Sequence, residues 1–105
     1  MDQRQTQRHT WLNTFANRYG LKLESEVSAS ADASFRQYFR LSGVEGKSFI
    51  VMDAPPAHED VRPFMKVTGL FEKAGLNVPK IYESDAENGF LLLSDLGRYT
   101  YCLLY

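Results

Sequence analysis

Phe35-Arg36-Gln37-Tyr38-Phe39-Arg40-Leu41 is the stretch that decides the fold. It alternates with period two: Phe35, Gln37, Phe39 and Leu41 share one face, and Arg36, Tyr38 and Arg40 share the other. That is the pattern of a strand with two unlike faces. On its N-terminal side, residues 28–34 read Ser-Ala-Ser-Ala-Asp-Ala-Ser, a loop with no bulky side chain. Before that loop, residues 21–28 predict another strand, with Leu21, Leu23 and Val27 facing inward. On the C-terminal side, residues 42–47 form a Gly-containing turn and residues 48–53 a third strand. Three antiparallel strands joined by short loops make a meander.

Further out, Trp11, Leu12, Phe15, Ala16 and Tyr19 recur at spacings of three and four, which predicts a helix over 6–19 ending at Gly20. Ala54-Pro55-Pro56-Ala57 breaks the third strand. His58-Glu59-Asp60 then opens a second helix, with acidic residues suited to its first turn. Pro63 fits that first turn, Val61, Phe64, Met65, Thr68 and Phe71 form its buried stripe, and Lys73 and Gly75 close it. A short strand follows over 80–82, a polar turn over 84–89 and an apolar strand over 90–93. Ser94-Asp95-Leu96-Gly97 is a break, after which residues 98–105 begin a new element. The order predicts an α+β fold: a five-stranded antiparallel sheet, an N-terminal helix, and a helix between strands 3 and 4. Phe35, Phe39, Phe64 and Phe71 are assigned to its core.

The chain has 105 residues, of which 44% are hydrophobic and 13% aromatic, enough for one packed domain and not two. Its 12 basic and 13 acidic residues give a net charge of −1, without the basic excess of a general nucleic-acid binder. Cys102 is the single cysteine, so no internal disulfide forms and a reducing compartment is expected. The N-terminus lacks the apolar stretch of a secretory signal, and no apolar run approaches the roughly 20 residues of a membrane span. A soluble cytoplasmic protein with no membrane partner is expected. Gly46-Lys47-Ser48 imitates a phosphate-binding loop, but the glycine that motif needs falls at Leu41, and a strand follows where a helix should. His9 and His58 lie far apart with no ligand cluster, which argues against structural zinc. Cys102 has no base partner and reads as a small apolar residue.

Residues 31–40 (Ala-Asp-Ala-Ser-Phe-Arg-Gln-Tyr-Phe-Arg) resemble the segment DASFRRYFR of aminoglycoside-phosphotransferase-like kinases. Residues 51–56 match their VMDAPP, Arg62-Pro63-Phe64 their RPF, and residues 91–97 (Leu-Leu-Leu-Ser-Asp-Leu-Gly) resemble their LLLEDLG. Within that superfamily the set is most similar to the bacterial anomeric kinases that phosphorylate N-acetylmuramate and N-acetylglucosamine during cell-wall recycling. The resemblance covers nearly the whole chain and implies the N-terminal lobe of a protein-kinase-like fold. Residues 1–97 would be that lobe with its hinge, and 98–105 the interrupted start of a C-terminal lobe.

The resemblance further implies ATP as the phosphate donor, with Mg2+, and an amino sugar as acceptor. The loop over 28–34 would cover the phosphates, its small residues letting backbone N–H groups approach anionic oxygens. Ser30, Asp32 and Ser34 belong to that contact, with hydroxyl donors from the two serines. Arg36 and Arg40 would bring positive charge, Ile50 would pack on the adenine ring, and Ser94, Asp95 and Leu96 would form the hinge. A structural hydrogen bond is the expected role of the Asp95 side chain. Charges alternating along a strand also mark an ordinary solvated face, so the two arginines carry that reading as well. Protein kinases place a lysine on the third strand; here residues 49–53 read Phe-Ile-Val-Met-Asp. The catalytic aspartate, asparagine and metal-binding aspartate of the fold belong to the C-terminal lobe. No catalytic residue or metal ligand is therefore expected in these 105 residues, nor turnover from them alone. An exposed apolar underside, where the second lobe would dock, implies a tendency to self-associate. The competing reading is a stand-alone α+β interaction module without catalysis.

Overall fold

A computed structural model describes residues 3–31, 37–57, 60–76 and 78–95. Five strands, β1 (Lys22–Ala31), β2 (Gln37–Ser42), β3 (Ser48–Asp53), β4 (Ile81–Asp85) and β5 (Phe90–Ser94), form one sheet in the order β1-β2-β3-β5-β4. Every neighbouring pair is antiparallel. Helices α1 (Gln3–Asn13) and α2 (Ala16–Tyr19) precede the sheet, and α3 (Arg62–Lys73) connects β3 to β4. This is the expected α+β architecture of a kinase-like N-terminal lobe.

β3 lies at the middle of the sheet, and its residues 49–53 are all buried. Ile50 and Met52 point to one side, where they pack with Tyr38, Leu91 and Leu93 beneath Val61 and Phe64. Phe49 and Val51 point to the other, where they pack with Leu41, Leu92, Leu12 and Phe15. The sheet thus has an inner face under α3 and an outer face under α1. Burial of each such side chain contributes about 1.5–3 kcal/mol. An aromatic chain extends the outer layer: Phe15 meets Trp11 and Tyr19 edge-on, and Tyr19 meets Phe49 and Tyr82.

Asp53 continues the outward alternation of Phe49 and Val51 but is a carboxylate, 2% exposed. It is satisfied from α1: Arg4 donates to Oδ1 through Nε (3.0 Å) and Nη2 (2.5 Å), and Arg8 donates to Oδ2 through Nη1 (2.6 Å). Arg8 also forks onto Glu26 of β1 through Nε (2.9 Å) and Nη2 (2.8 Å), where His9 Nε2 lies 3.1 Å away. Burial alone would push the Glu26 carboxyl up, but the hydrogen bonds and charges of Arg8 and His9 hold it below its ordinary value. Burial would likewise lower the Arg8 guanidinium, and its bonds to Glu26 and Asp53 hold it above.

Several boundaries differ from those expected. The single helix over 6–19 is two helices, and it starts earlier, at Gln3. Thr14 Oγ1 donates back to the Trp11 carbonyl (2.6 Å), and Thr14 and Phe15 N–H groups reach only three residues back, so the α-helix ends at Asn13. Gly20 does close the second helix, at φ +65°, against Val44, where a Cβ would clash. β1 runs to Ala31, so Ser28 to Ala31 belong to the ladder with β2 rather than to a loop. Register shifts in β1 between Lys22 and Val27 turn Val27 to the same face as its partner Arg40, where it is 58% exposed. β2 starts at Gln37, with Phe35 outside the described residues, and β4 spans Ile81–Asp85 rather than 80–82. α3 begins at Arg62; Asp60 accepts its N–H (3.0 Å) from outside the helix, and His58 and Glu59 lie outside the described residues. Its buried stripe stops at Thr68. Phe71 is exposed, beside Val67 and Leu70. Gly89 (φ +79°) accepts the Ala54 N–H (2.8 Å) where β5 starts, and a Cβ there would collide with the Ala54 carbonyl.

Two stability measurements follow from this packing. Thr68 Oγ1 is buried and makes no hydrogen bond among the described residues. Thr68→Val should therefore stabilise the fold by about 1 kcal/mol in denaturant titration; a loss of stability would reveal a bond the hydroxyl makes. The depressed Glu26 carboxyl contributes stability that is present above its ordinary pKa of about 4.3 and is lost as pH falls through its lower folded value. In acid titration the parent should thus lose stability more steeply than Glu26→Gln below about pH 5. Parallel curves would mean that Glu26 is not charged in the fold.

Candidate functional site

The alternation of β2 puts Arg40 on the inner face, two residues from Tyr38 and opposite Ile50 of β3. Ser48 opens β3 on the same face, and Asp95 follows the last residue of β5. These three side chains converge. Arg40 donates to Asp95 through Nε (2.6 Å to Oδ2) and Nη2 (3.3 Å to Oδ1), and Ser48 Oγ donates to Asp95 Oδ2 (2.5 Å). The carboxylate is largely buried while the guanidinium is half-exposed, with relative exposures of 11% and 37%. Ser94 fixes the opposite flank: its N–H donates to the Lys80 carbonyl (2.9 Å) and its Oγ accepts the Lys80 N–H (2.8 Å). The backbone at Ser94 and Asp95 is thereby tied to β2 and β3 on one side and to the chain entering β4 on the other. The arrangement orients that segment.

Arg40 stands at the end of the sheet where β5 exits. Gln37, three residues earlier, stands at the opposite end, roughly 10 Å along the strand. The positive charge of Arg40 is engaged by Asp95. Ile50 shares the inner face but is fully buried, as is Met52, two residues on. Ser30 pairs with Tyr38 in the β1–β2 ladder. Asp32, Ser34, Arg36 and Leu96 lie outside the described residues. The structure therefore brings together Arg40, Ile50, Ser94 and Asp95 among the expected site residues. The hydrogen bond expected of the Asp95 side chain is present. Among the described residues no group of three His, Cys, Asp or Glu side chains converges as a divalent metal would require.

Sequence reading missed Ser48 and Lys80 at this locus. It also missed the outer-face cluster of Arg4, Arg8, Glu26 and Asp53. Ser48 carried no signal, since a serine opening a strand is ordinary. The cluster carried a faint one. Arg4 and Arg8 precede Leu12 at successive spacings of four, and Asp53 shares the buried phase of Phe49 and Val51 in β3.

Removing the carboxylate takes the bidentate acceptor from Arg40 and the acceptor from Ser48. Asp95→Ala should cost about 1–2 kcal/mol, Asp95→Asn less, and Arg40→Ala combined with Asp95→Ala less than the sum of the two. Additive costs in a double-mutant cycle would show that the pair is uncoupled.

Residues 26–102 match the model of the Phosphotransferase enzyme family. The N-acetylmuramate/N-acetylglucosamine kinase of Pseudomonas aeruginosa is 63% identical over 75 residues, covering 71% of this chain and 22% of that protein. The kinase of the same name from Pseudomonas putida is 53% identical over 77 residues, covering 73% and 22%. That of Neisseria meningitidis serogroup B is 40% identical over 99 residues, covering 94% and 28%. The chain thus spans between 22% and 28% of the length of these relatives. No solved structure matches it significantly. No helix among the described residues is long and apolar enough to cross a membrane. With the family match extending from β1 across the sheet and beyond β5, this chain belongs to the phosphotransferase enzyme family.

Proposed function

We propose that this chain is the nucleotide-binding lobe of an ATP-dependent amino-sugar kinase, which transfers the γ-phosphate to a hydroxyl of N-acetylmuramate or N-acetylglucosamine. The observation that carries this reading is the 63% identity over 75 residues to a kinase named for those two sugars. The geometry supports it at the end of β5. There Ser94 and Asp95 are held from both flanks, as a hinge needs in order to present backbone donors and acceptors to an adenine edge. The inner face beside it is apolar through Ile50 and Leu93, and its one described arginine is neutralised by Asp95. That suits a base better than a triphosphate.

In this reading the phosphates lie at the other end of the sheet. Ser30, Asp32, Ser34 and Arg36, within and just after the end of β1, are the proposed phosphate contacts. Magnesium, when bound, would neutralise charge on the transferring phosphoryl group. The described residues supply no ligand set for it. Its ligands and the general base for the sugar hydroxyl come from a second lobe opening at residues 98–105. The exposed apolar side chains Val67, Leu70 and Phe71 belong to the contact with that lobe. The lobe described here binds and orients; it has no turnover alone. The setting is cytoplasmic recycling of cell-wall amino sugars.

The test is a thermal-shift titration with ATP and magnesium. Any ligand that prefers the folded state raises its stability, by about 1.4 kcal/mol at ten times Kd. A saturable rise is expected, and an Asp95→Ala variant should shift the titration to higher nucleotide concentration. A flat response for the parent up to about 10 mM, far above the concentrations where ATP sites ordinarily saturate, would favour the stand-alone interaction module.

A further inference from the structure

The outer-face cluster lies apart from the hinge, and no step of the proposed function uses it. Arg8 is 4% exposed, yet its guanidinium touches three adjacent strands. It holds Glu26 of β1 by two hydrogen bonds, lies 3.9 Å from the ring centroid of Phe39 on β2, and holds Asp53 of β3 at 2.6 Å. Arg4, one turn earlier, binds the same Asp53 and stacks over Phe90 of β5 at 4.4 Å. Asp53 is paired with both Gln37 and Phe90, and Gln37 with Ala31. The two arginines therefore run obliquely across the sheet, from Glu26, beside the Val27 that pairs with Arg40, to Asp53 and Phe90 at the end where β1 stops and β2 starts.

That end needs bracing. β1 is an edge strand with two register irregularities, between Lys22 and Val27 and between Ser28 and Ser30, so its ladder alone fixes its position weakly. Apolar packing does little to help: Val27 is largely exposed, and of the strand's bulky side chains Leu23 joins the outer cluster only at its margin. The strong attachment of β1 to the outer layer is the charge-assisted fork from Arg8 to Glu26.

We infer that Arg8 is a positioning residue: by bridging Glu26, Phe39 and Asp53 it sets where the facing ends of β1 and β2 stand relative to β3, and so the geometry of the phosphate end of the nucleotide site. It touches no ligand, because it acts from the opposite face of the sheet. The consequence for nucleotide rests on the proposed function. The bridging itself does not.

The experiment is amide hydrogen exchange on the 105-residue chain and its Arg8→Lys variant. Lysine keeps the charge but is a point donor that cannot fork across three strands. Exchange over 28–31 and 37–42 should become at least about tenfold faster, while 90–94 changes by less than about twofold. Glu26→Gln, which cuts only the charged arm to β1, should quicken 28–31 alone and serves if the lysine variant fails to fold. Apparent ATP–magnesium affinity of either variant, compared at equal distance below its melting temperature, should fall about fivefold, because a loosened support misplaces the site it carries. Exchange that rises evenly across all five strands, or does not change, overturns the proposal, since a merely stabilising pair would behave so. A parent with no ATP response overturns the nucleotide reading instead, and the exchange pattern still decides the role of Arg8.

Discussion

A strand buried on both faces has to be covered twice, and β3 imposes that condition on the whole chain. Its inner side chains, Ile50 and Met52, demand the cover that α3 provides through Val61 and Phe64. Its outer ones, Phe49 and Val51, demand the cover that α1 and the following turn provide through Leu12 and Phe15. The N-terminal helix is thus a structural layer and not an appendage. The sheet would otherwise expose a continuous apolar face of Phe49, Val51, Leu41 and Leu92. The position of Asp53 follows from the same strand. Its phase makes it point outward into the buried layer, and a buried carboxylate must be paired. Arg4 and Arg8 are the answer on α1, and they fix the rotation of the helix about its own axis as apolar contacts alone would not.

The two ionic locks therefore have different tasks. The Asp53–Arg8–Glu26 cluster is almost wholly dry and spans three strands and a helix. Such a network adds little net stability over an apolar one, but breaking one member strands the others, so it enforces one arrangement. The Arg40–Asp95–Ser48 cluster is wetter and lies on the opposite face, where β5 leaves the sheet. It constrains only the exit of β5. One lock sets the frame of the sheet, and the other sets the direction in which the chain leaves it.

Much of this was legible from the sequence, because period-two alternation in β2 and β3 and the stripe of α3 are strong local signals. The boundaries of β3 are those expected. What was not legible depended on competition between local and distant bonds. Thr14 ends α1 by bonding back to Trp11, although the apolar spacing through Phe15 and Tyr19 continues unbroken. Small residues at 28–31 look like a loop, but they continue the ladder because β2 already offers partners at Tyr38 and Gln37. Val27 was misplaced because a bulge changes phase without changing composition. At the candidate site, the motif at 91–97 pointed to Asp95. Arg40 as its partner required the register between β2 and β3, which no single segment contains.

Under the proposed nucleotide-binding reading, that partnership bears on how phosphate charge would be balanced without a lysine on the third strand. Met52 is buried where a strand cation would have to emerge, and Arg40 is engaged by Asp95 some 10 Å from the β1–β2 connection, on strand geometry. Lending Arg40 to a phosphate would take the guanidinium from a largely buried carboxylate and loosen the exit of β5. The two demands on one arginine conflict. In a nucleotide-binding lobe built on this sheet, Arg40 belongs to the base end.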